Sequence, residues 1–512
     1  MPIQLDAPSD LNAAVAARRE PMSSVDTAWL HMDRPTNPMM IVSLMRYGRR
    51  LNFRNLTRAV EQRFLVHPRL RMRPVESLTG VVWEEDAHFR LARHVRRTTL
   101  AAPGDERALA DAVADLAGRR LDPRYPRWRF DLIDGIGDGC ALVVRIHHCY
   151  ADGIALVRVL LALADPVQAP ANAAAPVPGA AHAQVESWLE RLTPAAMNRV
   201  MQEGSELVQR GLHLALHPGE LSEAARQGVG IAAELARVAL MPDDPATPLR
   251  GKLSTHKRVA WSRPLPLENA RAAAHMLGCT INDVLTAAVA GAFGSYLRAA
   301  GVDVTGLSIR AAVPVNLRGP GEPAGLGNQF GLVFMPLPIG IANPYERIYS
   351  VHAQMQLLRQ SQQPLMSIVL LAILGLGPRT LQQPAVDLLS NKATLVMSNV
   401  PGPRVPMKLC GVEMEEVLFW VPQSGNLGIG VSVFTYDNQI HFGVIADRNL
   451  MPEPQRVVDE FERQVQELVS ALPATPAIPL PPAPAPQAVA HKKRARRQRV
   501  GKSSGKHLPS GN

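Results

Sequence analysis

The chain has 512 residues, 46% of them hydrophobic and 20% charged, which is too long for one ordinary domain and enough for two sizeable cores. Its four cysteines, Cys140, Cys149, Cys279 and Cys410, are widely spaced with no CxxC, which disfavours a disulfide framework or structural zinc and fits a reducing compartment. The net charge of +10 is local: Lys492, Lys493, Arg494, Arg496, Arg497, Arg499, Lys502 and Lys506 carry eight positive charges, leaving only +2 for all that precedes.

In chain order, the first twenty residues hold Asp6, Asp10, Arg18, Arg19 and Glu20 without an apolar core, so no secretory signal is expected. Apolar spacing predicts a helix over Asn55 to Val66, a short strand at Gly80 to Glu84 and a helix over Asp105 to Arg120. Cys140 to Ile146 (CALVVRI) reads as a buried strand and Ile154 to Ala164 as a helix. An Ala/Pro-rich stretch, Asp165 to Ala183, reads as an extended linker, as does Leu472 to Ala490. Between them, Val185 to Leu240 predicts two or three helices broken at Thr193-Pro194 and His217-Pro218-Gly219.

The second half repeats the mixture. Helices are expected at Pro266 to His275 and Ile281 to Ala300, the latter with Asn282 and Asp283 near its start and Gly301 past its end. Strands are expected at Ser308 to Val315, Leu332 to Pro336 and Ala393 to Ser398. A hairpin over Gly428 to Ala446 turns at Asp437-Asn438, and a last helix runs from Pro454 to Leu472. The uncharged stretch Pro364 to Pro378 is shorter than the ~20 residues a bilayer span needs. It reads as a buried core helix, or as one that touches lipid or lines an apolar tunnel. The polybasic end suits anionic lipid head groups at ~1 kcal/mol per basic residue; non-specific nucleic-acid binding or a plain solvated end fits it as well.

One segment carries chemistry: His147-His148-Cys149-Tyr150-Ala151-Asp152-Gly153, between the CALVVRI strand and the following helix. An imidazole with a pKa near neutrality can take a proton from an alcohol and return it to a leaving group. The carboxylate four residues on can hold the loop, and Gly153 is expected to permit a tight turn that a bulkier residue would strain. Neighbouring residues of an extended strand face opposite sides, so one histidine enters a given cleft and a two-histidine metal site is disfavoured. Cys149 reads as a loop spacer more readily than as a nucleophile. No GxSxG, GxxxxGK[ST] or GxGxxG occurs, and GLGNQFG at Gly325 to Gly331 has the wrong spacing.

HHxxxDG resembles the active-site motif of the wax ester synthase / diacylglycerol acyltransferase family, within the CoA-dependent acyltransferases that share HxxxD. Six further segments resemble family blocks in family order. They are Met22 to Met39 (MSSVDTAWLHMDRPTNPM), Pro126-Arg127-Trp128 (with Arg127 where the family has Leu), Asn282-Asp283, Pro314-Val315-Asn316-Leu317-Arg318, Leu326-Gly327-Asn328-Gln329 and Ser398 to Pro403 (SNVPGP). With HHCYADG they make seven segments running from Met22 to Pro403, within a resemblance that covers about residues 22 to 472.

The resemblance implies an α+β fold of two chloramphenicol-acetyltransferase-like domains, with mixed sheets flanked by helices. The expected division is residues 1–165 for the domain with HHxxxDG, 166–255 for a linker and helical connector, 256–472 for the second domain and 473–512 for a disordered Pro-rich, basic tail. It implies that His148 is the general base, Asp152 a structural residue holding the loop, and His147 auxiliary. Around them Gly153, Asn282, Asp283, Asn316, Arg318, Ser398 and Asn399 would bind substrate or support the site. Each has a simpler reading: Asn282 and Asp283 as a helix start, SNVPGP as a turn, Pro126-Arg127-Trp128 as a packing corner, Arg318 as a surface ion pair instead of a partner for a CoA phosphate.

The activity implied is transfer of a long-chain acyl group from acyl-CoA, a substrate and not a cofactor, to a diacylglycerol or long-chain alcohol. No metal, no cofactor and no specific nucleic acid is expected. The alternatives are a non-lipid acceptor and a non-catalytic lipid-surface protein. The expected location is cytoplasmic, peripheral to membrane or lipid inclusions.

Overall fold

The computed structural model describes residues 18–77, 80–167, 240–317, 326–359, 361, 363–377 and 379–471. The helices expected within 185–239, the linker from 168 onward, the second linker, the basic tail and Arg318 lie outside these residues.

Two sheets organise the chain. The first has five strands in the order Glu416–Trp420, Met40–Tyr47, Gly139–His147, Trp128–Ile136, Val95–Thr99, antiparallel except for the last pair. Gly139–His147 is buried at every position, apolar in its middle and carrying the buried Arg145, paired with Asp131, and His147 toward its end. The second sheet has seven strands: Leu265–Pro266, Gln439–Asp447, Ile429–Tyr436, Leu395–Pro401, Ile309–Asn316 and Phe330–Leu337 in sequence, with Lys257–Trp261 also on Gln439–Asp447. It is mixed, because Leu395–Pro401 runs parallel to both its neighbours.

The expected second-half elements form close to where apolar spacing puts them. Ile281–Ala299 starts with a capping box between Thr280 and Asp283. The hairpin turns at Asp437 and Asn438, with φ of 47° and 57°. Two positive φ values make this the turn whose twist matches that of its strands.

Sheet boundaries do not follow chain boundaries. Glu416–Trp420 lies within 256–472, yet it pairs with Met40–Tyr47 in the first sheet, through Glu416↔Arg46 to Trp420↔Val42. The Leu418 and Trp420 side chains join a core shared by both sheets, with Met40, Leu44, Val259 and Ile445. Asp165 and Pro166, expected to open a linker, instead pair with Lys408 and Met407. The halves are therefore laced together by backbone hydrogen bonds as well as by apolar contact.

The oily stretch forms the helix Gln363–Leu376, which packs on the helix Ser24–His31 and the strand Phe330–Leu337. Ile368 and Leu371 are buried in the first core. A Cβ at Gly375 would run into the Ser24 carbonyl, so glycine lets the two helices approach at backbone distance. No single helix among the described residues is long and apolar enough to cross a membrane.

Candidate active site

The HHCYADG loop sits at the seam between the halves. His147 ends its strand opposite Met40, and the chain then leaves the sheet. The His148 amide donates to the Met39 carbonyl (2.7 Å) in the first half, and its carbonyl accepts from Asn328 Nδ2 (2.9 Å) in the second. Ala151 forms an isolated bridge with Gly327, and the Asp152 amide donates to the Gly327 carbonyl (3.2 Å). The backbone of His148 is thus fixed from both sides before its side chain does anything.

The side chain is fixed by stacking. The imidazole lies on the Trp29 indole, with centroids 4.3 Å apart and planes at 20°, and the Phe330 ring lies 5.4 Å from each. All three rings are buried. Burial lowers the His148 pKa to about 4, while the Asp152 charge pulls weakly the other way. The ring is therefore neutral at physiological pH, the form that accepts a proton. Its Nδ1 is buried with no hydrogen-bond partner among the described residues.

Asp152 holds the loop. It caps the helix Gly153–Leu161, Oδ1 accepting from the Ala155 amide (3.0 Å), and Oδ2 accepts from the Gln329 amide (3.0 Å). One carboxylate therefore joins a helix start in the first half to the LGNQ segment in the second.

His147 occupies separate surroundings. Its Nδ1 accepts from the Cys149 amide (3.2 Å), which puts the proton on Nε2. Nε2 faces Asp33 Oδ1 at 3.9 Å, outside hydrogen-bond range. The Asp33 carboxylate is engaged elsewhere, accepting from Arg120 Nε (2.9 Å) and the Met39 amide (3.1 Å). Burial brings His147 down to about 3. Asp33 thus reaches His148 indirectly, since the residue whose amide it holds supplies the carbonyl that holds His148. Cys149 is fully buried and its thiol is pushed well above the ordinary range, so it stays protonated. Tyr150 Oη donates to the Met72 carbonyl (2.6 Å) and accepts from the Arg127 amide (3.0 Å), pinning the loop from below.

Gly153 departs from expectation. Its φ is not positive and nothing lies within 4 Å of the position a Cβ would take. The residue relieves no turn strain; it is the first residue of its helix and leaves the space beside the loop open.

The remaining expected residues form a second group. Asn399 Nδ2 donates to Asn282 Oδ1 (2.7 Å), so the ND and SNVPGP segments meet. Asp283 accepts from the Thr280 amide (2.9 Å) and contacts His352 Nδ1 (2.8 Å), making it a helix cap and a partner at once. Ser398 is buried in its strand opposite Ser432. Asn316 pairs in register with Phe330, whose own ring lies against His148. The strands Ile309–Asn316 and Leu395–Pro401 pair only at Ala311↔Leu395 and Ala312↔Val396, then separate toward the seam. Among the described residues no hydrogen bond links the Asn282–Asn399 pair to His148, and no group of three or more His, Cys, Asp or Glu is placed to hold a metal ion.

Trp29, Asp26, Asp33 and Asn328 complete the site without having been singled out. Asp26 is buried, its carboxyl raised by desolvation, and it accepts from the same Asn328 Nδ2 (2.7 Å) that holds the His148 carbonyl. Asp26 and Trp29 stand three apart on one helix and so share a face. An aspartate within the apolar run of MSSVDTAWLHM was the signal available for it.

Residues 22–285 match the wax ester synthase/diacylglycerol acyltransferase catalytic domain, and residues 326–469 match the WS/DGAT C-terminal domain. The chain is 30% identical over 414 residues to a probable diacylglycerol O-acyltransferase of Mycobacterium tuberculosis, tgs1, covering 78% of this chain and 84% of that one. A putative diacylglycerol O-acyltransferase of the same organism is 26% identical, covering 88% and 91%. Among solved structures, the fold is similar to the wax ester synthase/diacylglycerol acyltransferase from Marinobacter aquaeolei VT8 (TM-score 0.60, 21% identity, covering 89% and 99%). It is similar as well to the first condensation domain of the calcium-dependent antibiotic synthetase (TM-score 0.56, 15% identity, covering 92% and 98%).

Proposed function

Because this chain belongs to the wax ester synthase/diacylglycerol acyltransferase family, we propose that it transfers an acyl group from acyl-CoA to the hydroxyl of a diacylglycerol or long-chain alcohol, with His148 as the base. The observation that carries the assignment of the base is the placement of His148: a buried, neutral imidazole stacked on Trp29, with its backbone held by one half of the molecule on each side.

His148 takes the proton of the acceptor hydroxyl as the oxygen attacks the thioester carbonyl carbon. The carbon–sulfur bond of the resulting tetrahedral intermediate breaks, and His148 returns the proton to the departing thiolate. Between the two transfers His148 is an imidazolium, which the nearby Asp152 charge favours, while the Asp152 oxygens accept from the Ala155 and Gln329 amides. Rate acceleration comes from proton transfer and from holding two reactants at one seam. The chemistry on these residues calls for no metal or redox cofactor.

The acceptor comes from a lipid phase, so the protein works peripherally on a membrane or lipid inclusion facing the cytoplasm. The exposed Leu357, Leu376 and Leu388, on three successive helices, and the basic residues of the tail support that placement. Incubating the purified chain with palmitoyl-CoA and an equimolar mixture of hexadecanol and a diacylglycerol, then resolving the neutral lipids by mass, tests the reading. Triacylglycerol or wax ester is the expected product; free fatty acid alone would overturn it.

A further inference from the structure

Away from His148, the surface holds a pocket of about 540 Å³ whose lining includes Arg73, Arg90, Arg93, Arg124, Asp86 and Tyr125. We propose that this pocket is a binding site for a phosphate monoester, recognised by its guanidinium groups.

Four arginines converging on one concavity is costly unless their charge is compensated, and here the compensation is incomplete. Arg73 pairs with Glu84 (2.9 Å), a carboxylate it shares with Arg19, and Arg124 pairs with Asp122 (2.7 Å). Arg93 donates only to the His88 carbonyl (2.9 Å) and lies 4.5 Å over the Tyr125 ring, with no carboxylate partner among the described residues. The Arg90 side chain is exposed and has no hydrogen-bond or ion-pair partner among them. Asp86 is the one carboxylate in the lining; one of its oxygens takes the His88 amide (3.0 Å) and the other is buried. Two guanidinium groups are thus left for a ligand, in the fork geometry that matches phosphate oxygens.

The chemistry narrows the ligand further. Tyr125 is covered by the Arg93 and Arg124 guanidinium groups, and Phe89 by Arg71 and the His94 ring. Both rings of the lining are already engaged by cations or by the His94 ring, so recognition by charge is the chemistry the pocket offers. The volume admits a phosphate with the small group that bears it, such as a nucleotide phosphate or a lipid head group. The site shares its frame with the catalytic loop: Met72, next to Arg73, accepts from Tyr150 Oη, and Arg127, three residues after Arg124, donates to it. It is not lined by His148 or Asp152, and binding there is independent of the transferase reading.

The test is equilibrium binding to the full chain of three probes: inorganic phosphate, adenosine 3′,5′-bisphosphate, and phosphatidylcholine vesicles with or without phosphatidic acid. Each is measured for wild type, Arg90→Gln and the Arg90→Gln/Arg93→Gln double variant. Arg90→Gln removes a side chain without partners, so it reports on binding even where the double variant fails to fold. At least one probe is expected to bind wild type and to weaken about tenfold or more in the variants. Loss of the bisphosphate alone identifies a nucleotide-borne phosphate, loss of the phosphatidic acid vesicles alone a lipid head group, and loss of inorganic phosphate alone a free anion. Equal binding of every probe to wild type and variants, or no binding to wild type, would overturn the proposal.

Discussion

The Trp29 indole and the His148 imidazole lie face to face, 4.3 Å apart and 20° from parallel. The base is therefore oriented by an aromatic surface, one that belongs to a helix packed on the oily helix Gln363–Leu376. Replacing Trp29 with Leu keeps the apolar volume in part but removes the stack and admits water. We expect kcat to fall roughly tenfold, with a smaller change in KM for acyl-CoA. The acid limb of the pH–rate profile should also move up toward the ordinary histidine value, as desolvation weakens. A merely structural Trp29 would lower the melting temperature and leave that limb where it was.

Asp152 makes a different prediction. With its oxygens on the Ala155 and Gln329 amides, Asp152→Ala removes a helix cap and a link between the halves. The cap alone is worth about 0.5–2 kcal/mol, so the unfolding midpoint in urea should drop along with activity. A variant that lost activity with an unchanged midpoint would point to a direct part in proton transfer.

Much of this was legible beforehand. The strand Gly139–His147, the helix Ile281–Ala299 and the hairpin about Asp437-Asn438 lie close to where apolar periodicity and turn chemistry place them. The segments HHCYADG and LGNQ, far apart in sequence, do meet. What escaped were long-range relationships. Met40–Tyr47 is a central strand whose apolar run could have been read, whereas nothing local to Glu416–Trp420 says that it joins the other half's sheet. Trp29 and Asn328 lay inside segments already noted, but their roles depend on a helix and a loop being brought together by the fold. Gly153 shows the converse, since a local rule about turns gave a reason that the backbone there does not need.

Gly153→Ala follows from that correction. The added methyl meets nothing within 4 Å, and alanine restricts the unfolded chain more than glycine does. Stability should be unchanged or higher by about 0.4–1 kcal/mol. If the open space takes substrate, KM for the acceptor rises in the same variant; thermal melts and acceptor titrations read the two effects separately.

Three buried histidines with large downward shifts make stability depend on pH, and His94, also lowered by burial, acts in the same sense. Burial lowers His147 to about 3, and His148 and His441 to about 4, whereas the unfolded chain restores the ordinary value. Between the two values the unfolded state binds more protons, so stability is full above the ordinary histidine range and is lost as pH falls through it. Asp26, raised by burial, acts in the opposite sense. From pH 7.5 to 5.5 each histidine should cost roughly 1 kcal/mol. Urea midpoints at the two pH values check this, and an equal or higher midpoint at 5.5 would contradict it.

The central claim is that His148 is the base of an acyl transfer, and CoA release tests it most directly. Palmitoyl-CoA is offered with hexadecanol or a diacylglycerol, and thiol appearance is followed for wild type and for His148→Ala of matched circular dichroism. The account predicts acceptor-dependent release by wild type and a fall of at least about a hundredfold in the variant. Release by His148→Ala at the wild-type rate would contradict it.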